Sequence, residues 1–161
     1  MSELKQRMQA DLTRAMKQRD GLRTATLRMA LSAVTTEEVA GKTARELTDQ
    51  EVVAVLTRES KKRREAAEAF EGAGRAEQAA RERAEGEVLA EYLPAQLDDA
   101  QLRDLVAAAV AEVHTTGLEG GRAMGAVMKS VTPRVAGSAE GGRVAAEVRR
   151  QLGLGLRSAE G

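Results

Sequence analysis

Side chains that build β-sheets are almost missing from this chain. It has no Ile or Trp, a single Phe (Phe70) and a single Tyr (Tyr92), while Ala alone supplies 30 residues. Strands draw on β-branched and aromatic side chains, whereas Ala, Leu, Glu and Arg are among the strongest helix formers. The expected fold class is therefore all-α. A length of 161 residues allows about one domain, or two small ones. With no Cys and one His (His114), disulfides, zinc ribbons, iron–sulfur clusters and thiol nucleophiles drop out together. No cofactor is expected.

Apolar spacing divides the chain into seven helical segments. Leu4, Met8, Leu12 and Met16 step by four. Asp20 is an N-cap for a second helix that carries Leu27, Ala30, Leu31 and Val34 and stops near Gly41. Thr48-Asp49-Gln50-Glu51 reads as a capping box, with Leu47 and Val52 as the staple pair, and Gly72-Ala73-Gly74 ends the helix it opens. A charged fourth helix, about 75–92, sets Ala76, Ala80, Ala84, Val88 and Tyr92 on one stripe. Pro94 then stops the pattern, which sets the expected domain boundary. Asp98 to Gln101 forms a second capping box, stapled by Leu97 and Leu102. It starts a helix with Leu105, Val106, Ala109, Val110 and Val113. A sixth helix, 120–131, is closed by Pro133 and Gly137, and Ser138 caps a seventh with Val144, Val148 and Leu152. The expected organisation is a four-helix N-terminal domain, 1–94, a small three-helix C-terminal domain, 95–153, and a frayed tail, 154–161.

Several motif fragments fail on chemistry. Gly120 and Gly125 have the outer spacing of a phosphate-binding loop, but Ala126-Val127 follow instead of Lys-Ser. Ser2-Glu3-Leu4-Lys5 fits Ser-x-x-Lys, yet its companion boxes are absent and Ser2 reads better as a helix cap. His114 reads as a residue at a helix C-terminus. Glu87 and Glu91 share a helix face but lack Glu-x-x-His partners for a metal. No catalytic residue is assigned.

Lys and Arg balance Asp and Glu at 25 each, so only local asymmetry can point to a partner. No apolar run approaches the roughly 18 residues of a membrane span, and the first residues lack a secretory apolar stretch, so a cytoplasmic protein without membrane contact is expected. Residues 95–118 hold four acids and one base; residues 119–161 hold seven bases and four acids. Within the latter, Arg122, Lys129, Arg134 and Arg143 are interleaved with six glycines between 120 and 142. Small residues let a backbone come close, and guanidinium and ammonium groups neutralise phosphates. These four are the candidate nucleic-acid contacts. Ion pairing with the preceding acidic helix is the competing use of the same charges. Arg58, Lys61, Lys62 and Arg64 form a secondary candidate patch, although Lys61 and Glu65, Glu59 and Arg63, and Arg64 and Glu68 stand at helix-neighbour spacing. One Tyr and one Phe exclude an aromatic base-stacking platform, so any nucleic acid would be held by backbone and shape.

Three segments in order carry a family resemblance: Glu91-Tyr92-Leu93-Pro94-Ala95-Gln96-Leu97, Met124-Gly125-Ala126-Val127-Met128, and Pro133 through Gly141. With Leu27-Arg28-Met29 and the Thr48–Arg64 region, the chain resembles the YqeY-like family over about residues 1–152. That family shares its C-terminal GatB/YqeY-type module with the tail of the B subunit of the tRNA-dependent amidotransferase. The resemblance implies a non-catalytic helical module that binds tRNA, or a tRNA-charging complex, by shape and phosphate contacts. The other reading is an accessory subunit that docks on a glutamine-dependent carbon–nitrogen ligase (an amidotransferase) or on a synthetase, without touching RNA. The chain has no room for the ligase's catalytic portion. Ser138 and Ala126 stand where the family often has basic residues, which lowers the charge available for phosphates. A monomer is the expected state.

Overall fold

The computed structural model describes residues 2–154, and among them it has seven helices and no strand. By backbone contacts the chain divides into two compact units, Met1–Pro94 and Ala95–Gly161. No helix among the described residues is long and apolar enough to cross a membrane.

The first unit contains α1 (Glu3–Lys17), α2 (Gly21–Glu38), α3 (Asp49–Gly72) and α4 (Ala76–Ala90). Its core is Met8, Leu27, Ala30, Val34, Leu47, Val52, Val55, Leu56, Leu89 and Tyr92. Local chemistry sets the helix starts. The Ser2 hydroxyl accepts from the Lys5 N–H and donates to the Asp49 carboxylate, which also takes the Leu4 N–H at 3.2 Å. Ser2 is thus a cap, and two of the free donors at the start of α1 are satisfied. Asp20 caps α2 at 3.0 Å, and both arms of the Thr48–Glu51 capping box are made. The second helix ends at Glu38, before Gly41.

The inner face of α4 differs from the expected Ala stripe. Val88 and Tyr92 of that stripe are buried and Ala84 is half-buried, but Ala76 and Ala80 are exposed, while Ala79 and Leu89 are buried. The face turns because Glu82 and Glu85 point at Arg63 of α3. That guanidinium lies 3.4 Å from Glu59, 3.5 Å from Glu82 and 3.6 Å from Glu85. Ala67 of α3 and Ala79 of α4 are also buried, both about 1% exposed.

The second unit contains α5 (Asp99–His114), α6 (Gly120–Val135) and α7 (Gly141–Gln151), each packed on the other two. Its core is narrow and mostly Val: Val106, Val110, Val113, Val127, Val131, Val144 and Val148 around Leu102 and Ala109. The Asp98–Gln101 capping box is made in both directions. Two features differ from the sequence expectation. Pro133 does not close α6, which continues to Val135. Burial of Val131 and Val135 favours the extra turn, at the loss of the bond that a residue 133 N–H would make to the Lys129 carbonyl. Nor does Ser138 cap α7, whose N-cap is Glu140, without a side-chain capping hydrogen bond. Instead the Ser138 carbonyl accepts from the Leu97 N–H at 2.8 Å, and the Gln96 amide donates to the Gly137 carbonyl at 2.7 Å. These bonds stitch the lead-in to α5 onto the α6–α7 turn, where Gly137 takes φ +76°. Of the expected tail, Leu154 is bonded to the Arg149 carbonyl at 2.9 Å, and 155–161 lie outside the described residues.

Because α5, α6 and α7 share one buried core, the segment Ala95–Gly161 expressed alone is expected to fold cooperatively, near the lower size limit for an independent domain. A sigmoidal urea transition at 222 nm checks this, and a gradual loss of helix would contradict it.

Candidate nucleic-acid interface

The four C-terminal cations do not form one patch. Arg143, in the first turn of α7, donates to the Leu97 carbonyl at 3.2 Å and to Asp99 at 3.0 Å. Arg134 lies 3.8 Å from Glu112. Asp99 and Glu112 stand at opposite ends of α5, thirteen residues and therefore about 20 Å apart. The acidic helix has thus taken up two of the four charges, as ion pairing requires.

Arg122 and Lys129 are placed differently. They stand seven residues apart on α6, two turns along one face, and both are exposed. Neither forms an ion pair among the described residues. The opposite face of the helix buries Ala123, Val127, Val131 and Val135. On the outer side with the two cations lie Gly121 and Gly125, where an added Cβ would meet nothing within 4 Å. Neither glycine has a positive φ. Backbone conformation and packing against a neighbouring helix therefore leave both glycines unexplained, although Gly125, inside the helix, costs about 1 kcal/mol relative to Ala. Gly120 is different, since its φ of +58° suits glycine.

The secondary patch is largely neutralised. Arg58 pairs with Glu37 at 3.1 Å, Lys62 with Glu59 at 3.0 Å, and Lys61 with Glu65 at 3.9 Å. Arg64, on an exposed position of α3, has interactions of its own as well. His114 is the exposed last residue of α5. Glu91 does not pair with Glu87; Arg23 forks onto it at 2.6 and 2.9 Å and holds its carboxyl below the usual range. Among the described residues no group of three or more His, Cys, Asp or Glu side chains could hold a metal ion.

A family model described as Yqey-like protein matches residues 5–152. The chain belongs to the YqeY-like family. No curated protein matches it. The three segments that carry the YqeY-like resemblance now have physical roles. In the first, Tyr92 is 4% exposed, its hydroxyl donates to Asp11 at 2.6 Å, and the Arg7 guanidinium sits 4.6 Å from its ring centre. Burial, followed by the Asp11 hydrogen bond, pushes the phenol pKa well up. This tyrosine fastens the end of α4 to α1. In the second segment, Val127 is core, Met124 and Met128 are half-buried beside it, and Gly125 faces out. The third is the turn stitched to Gln96 and Leu97. In the second segment, Gly125 is an outward position that packing does not use.

One acidic group in the C-terminal unit gives a pH test. The Arg150 guanidinium, then the Gln151 amide, hold the Glu147 carboxyl at about 2. A depressed folded-state pKa adds stability that is complete above the unfolded value, near 4.5, and is lost as pH falls through the folded one. Stability of the unit is expected to drop between about pH 4.5 and 2, and less steeply in Glu147→Gln. Carboxyl NMR titration should place the Glu147 midpoint near 2; a midpoint above 4 would contradict the pairing.

Proposed function

We propose that this protein is a non-catalytic RNA-binding module that recognises tRNA, alone or within a tRNA-charging complex, by shape and phosphate contacts. The outer face of α6 carries the reading. Among the described residues Arg122 and Lys129 have no ion-pair partner, and beside them at Gly121 and Gly125 an added Cβ would meet nothing within 4 Å. A nucleic-acid backbone fits that combination, because cations neutralise phosphates while glycines allow close approach. Arg134 and Arg143 serve the helix packing first. The face therefore makes few phosphate contacts, and binding should be of modest salt dependence, with a slope of roughly two to four.

In the accessory reading, the same face docks on an amidotransferase or a synthetase without RNA. The two are separated by fluorescence titration with total tRNA at several salt concentrations, using wild type and the Arg122→Ala, Lys129→Ala double variant. The RNA reading expects the variant to lose affinity on the order of tenfold, with unchanged folding. Equal affinity of both proteins at every salt concentration removes RNA from this face.

A further inference from the structure

A groove of about 470 Å³ runs between α5 and α7 of the C-terminal unit, away from the α6 face. The residues lining it follow helix spacing: Arg143, Ala146, Glu147 and Arg150 from α7, with Leu102 and Arg103 from α5. Its floor is apolar and low, because Leu102 is 3% exposed and Ala146 has no side chain beyond Cβ. Its rim carries three guanidinium groups, and two of them are already fixed. Arg143 is held by the Leu97 carbonyl and Asp99. Arg150 is forked onto Glu147 at 2.9 and 2.6 Å, and Gln151 ties Glu147 at 2.8 Å and the Arg103 carbonyl at 2.9 Å. The Arg103 guanidinium forms neither a hydrogen bond nor an ion pair among the described residues.

Arg has five N–H donors in a fixed fork. Arg143 and Arg150 each spend two on these partners, so donors remain on side chains whose rotamer entropy is already spent on folding. Two carboxylates (Asp99 and Glu147) against three cations leave the groove one positive charge in excess. A small ligand with several acceptor oxygens and a negative charge suits it best, and bidentate recognition of phosphate is what such guanidinium groups do well. We propose that the α5–α7 groove binds a phosphate group through Arg103, Arg143 and Arg150, with Leu102 and Ala146 beneath the attached sugar or carbon skeleton. The site does not depend on the RNA reading of α6. The phosphate belongs either to an RNA backbone or to a free phosphorylated compound, and both have the chemistry the groove recognises.

The experiment follows the arginine Nε–Hε resonances of the full chain during titration with inorganic phosphate at constant ionic strength. Arg103, Arg143 and Arg150 are expected to shift together along one saturating curve, while Arg122 stays still. Ala146→Leu fills the floor without changing charge, and Arg103→Ala removes the unpaired cation. Each is expected to weaken phosphate binding by about tenfold, and the second keeps the test decisive if the first perturbs packing. A following tRNA titration assigns the source. Shifts of the same three resonances at much lower concentration mean an RNA phosphate; shifts confined to phosphate itself mean a free phosphorylated compound. Non-saturating shifts spread over all exposed arginines, or wild-type binding by Arg103→Ala, overturn the site.

Discussion

Replacing Tyr92 with Ala is expected to cost the N-terminal unit about 3–5 kcal/mol, the range for removing a buried aromatic side chain. The side chain is 4% exposed and packs in the core with Leu89 and Met8. It also carries the Asp11 hydrogen bond and the Arg7 contact, so its removal frees the end of α4 from α1. Tyr92→Phe isolates the hydroxyl. Asp11 keeps Arg14 at 3.2 Å, so its carboxylate is not stranded, and the loss should be about 1 kcal/mol. Urea unfolding at pH 7 measures both. The pH dependence adds a sign. A phenol whose pKa is raised on folding contributes stability that is complete below its unfolded value, 10.0, and fades as pH rises beyond it. The gap between wild type and Tyr92→Phe is therefore expected to narrow above about pH 10. Equal stability of wild type and Tyr92→Ala would mean that the Tyr92 segment has no structural duty.

The second large effect is expected at Gly125, where stability and function should move in opposite directions. Gly125→Leu places a strong helix former inside α6 where no atom would meet its Cβ. Stability should rise by about 1 kcal/mol, or roughly 4–8 °C in Tm for a unit of this size. The same side chain stands between the bare backbone and any ligand, so tRNA affinity should fall by on the order of tenfold or more. Thermal unfolding and tRNA titration of one variant check both halves. A variant that is stabilised and binds normally would show that the glycine serves no contact.

The helices were readable because their signals are local. The capping boxes at Thr48 and Asp98 need only four consecutive residues each, and both are formed. The fate of the charges was not readable in the same way. Sequence spacing finds pairs within one helix, such as Lys61–Glu65. The pairs that decide the candidate site join residues far apart: Arg143 with Asp99, Arg134 with Glu112, Arg58 with Glu37. Periodicity cannot see these. On α4 periodicity places Val88 and Tyr92 on the buried side but misplaces Ala76 and Ala80, where the ion pairs of Glu82 and Glu85 with Arg63 of the facing helix, which spacing within one helix cannot reveal, accompany burial of Ala79 instead. At the seventh helix, a favourable cap residue, Ser138, stands two positions before the N-cap Glu140, in a turn whose backbone carbonyl at Ser138 accepts from the Leu97 N–H.

The central claim is that the α6 face bearing Arg122 and Lys129 holds an RNA backbone. The most direct measurement is the slope of log affinity for tRNA against log salt, compared between wild type and the Arg122→Ala, Lys129→Ala double variant. Two lost phosphate contacts should flatten the slope by about two units while the circular dichroism spectrum stays the same. Identical slopes in two well-folded proteins would contradict the claim.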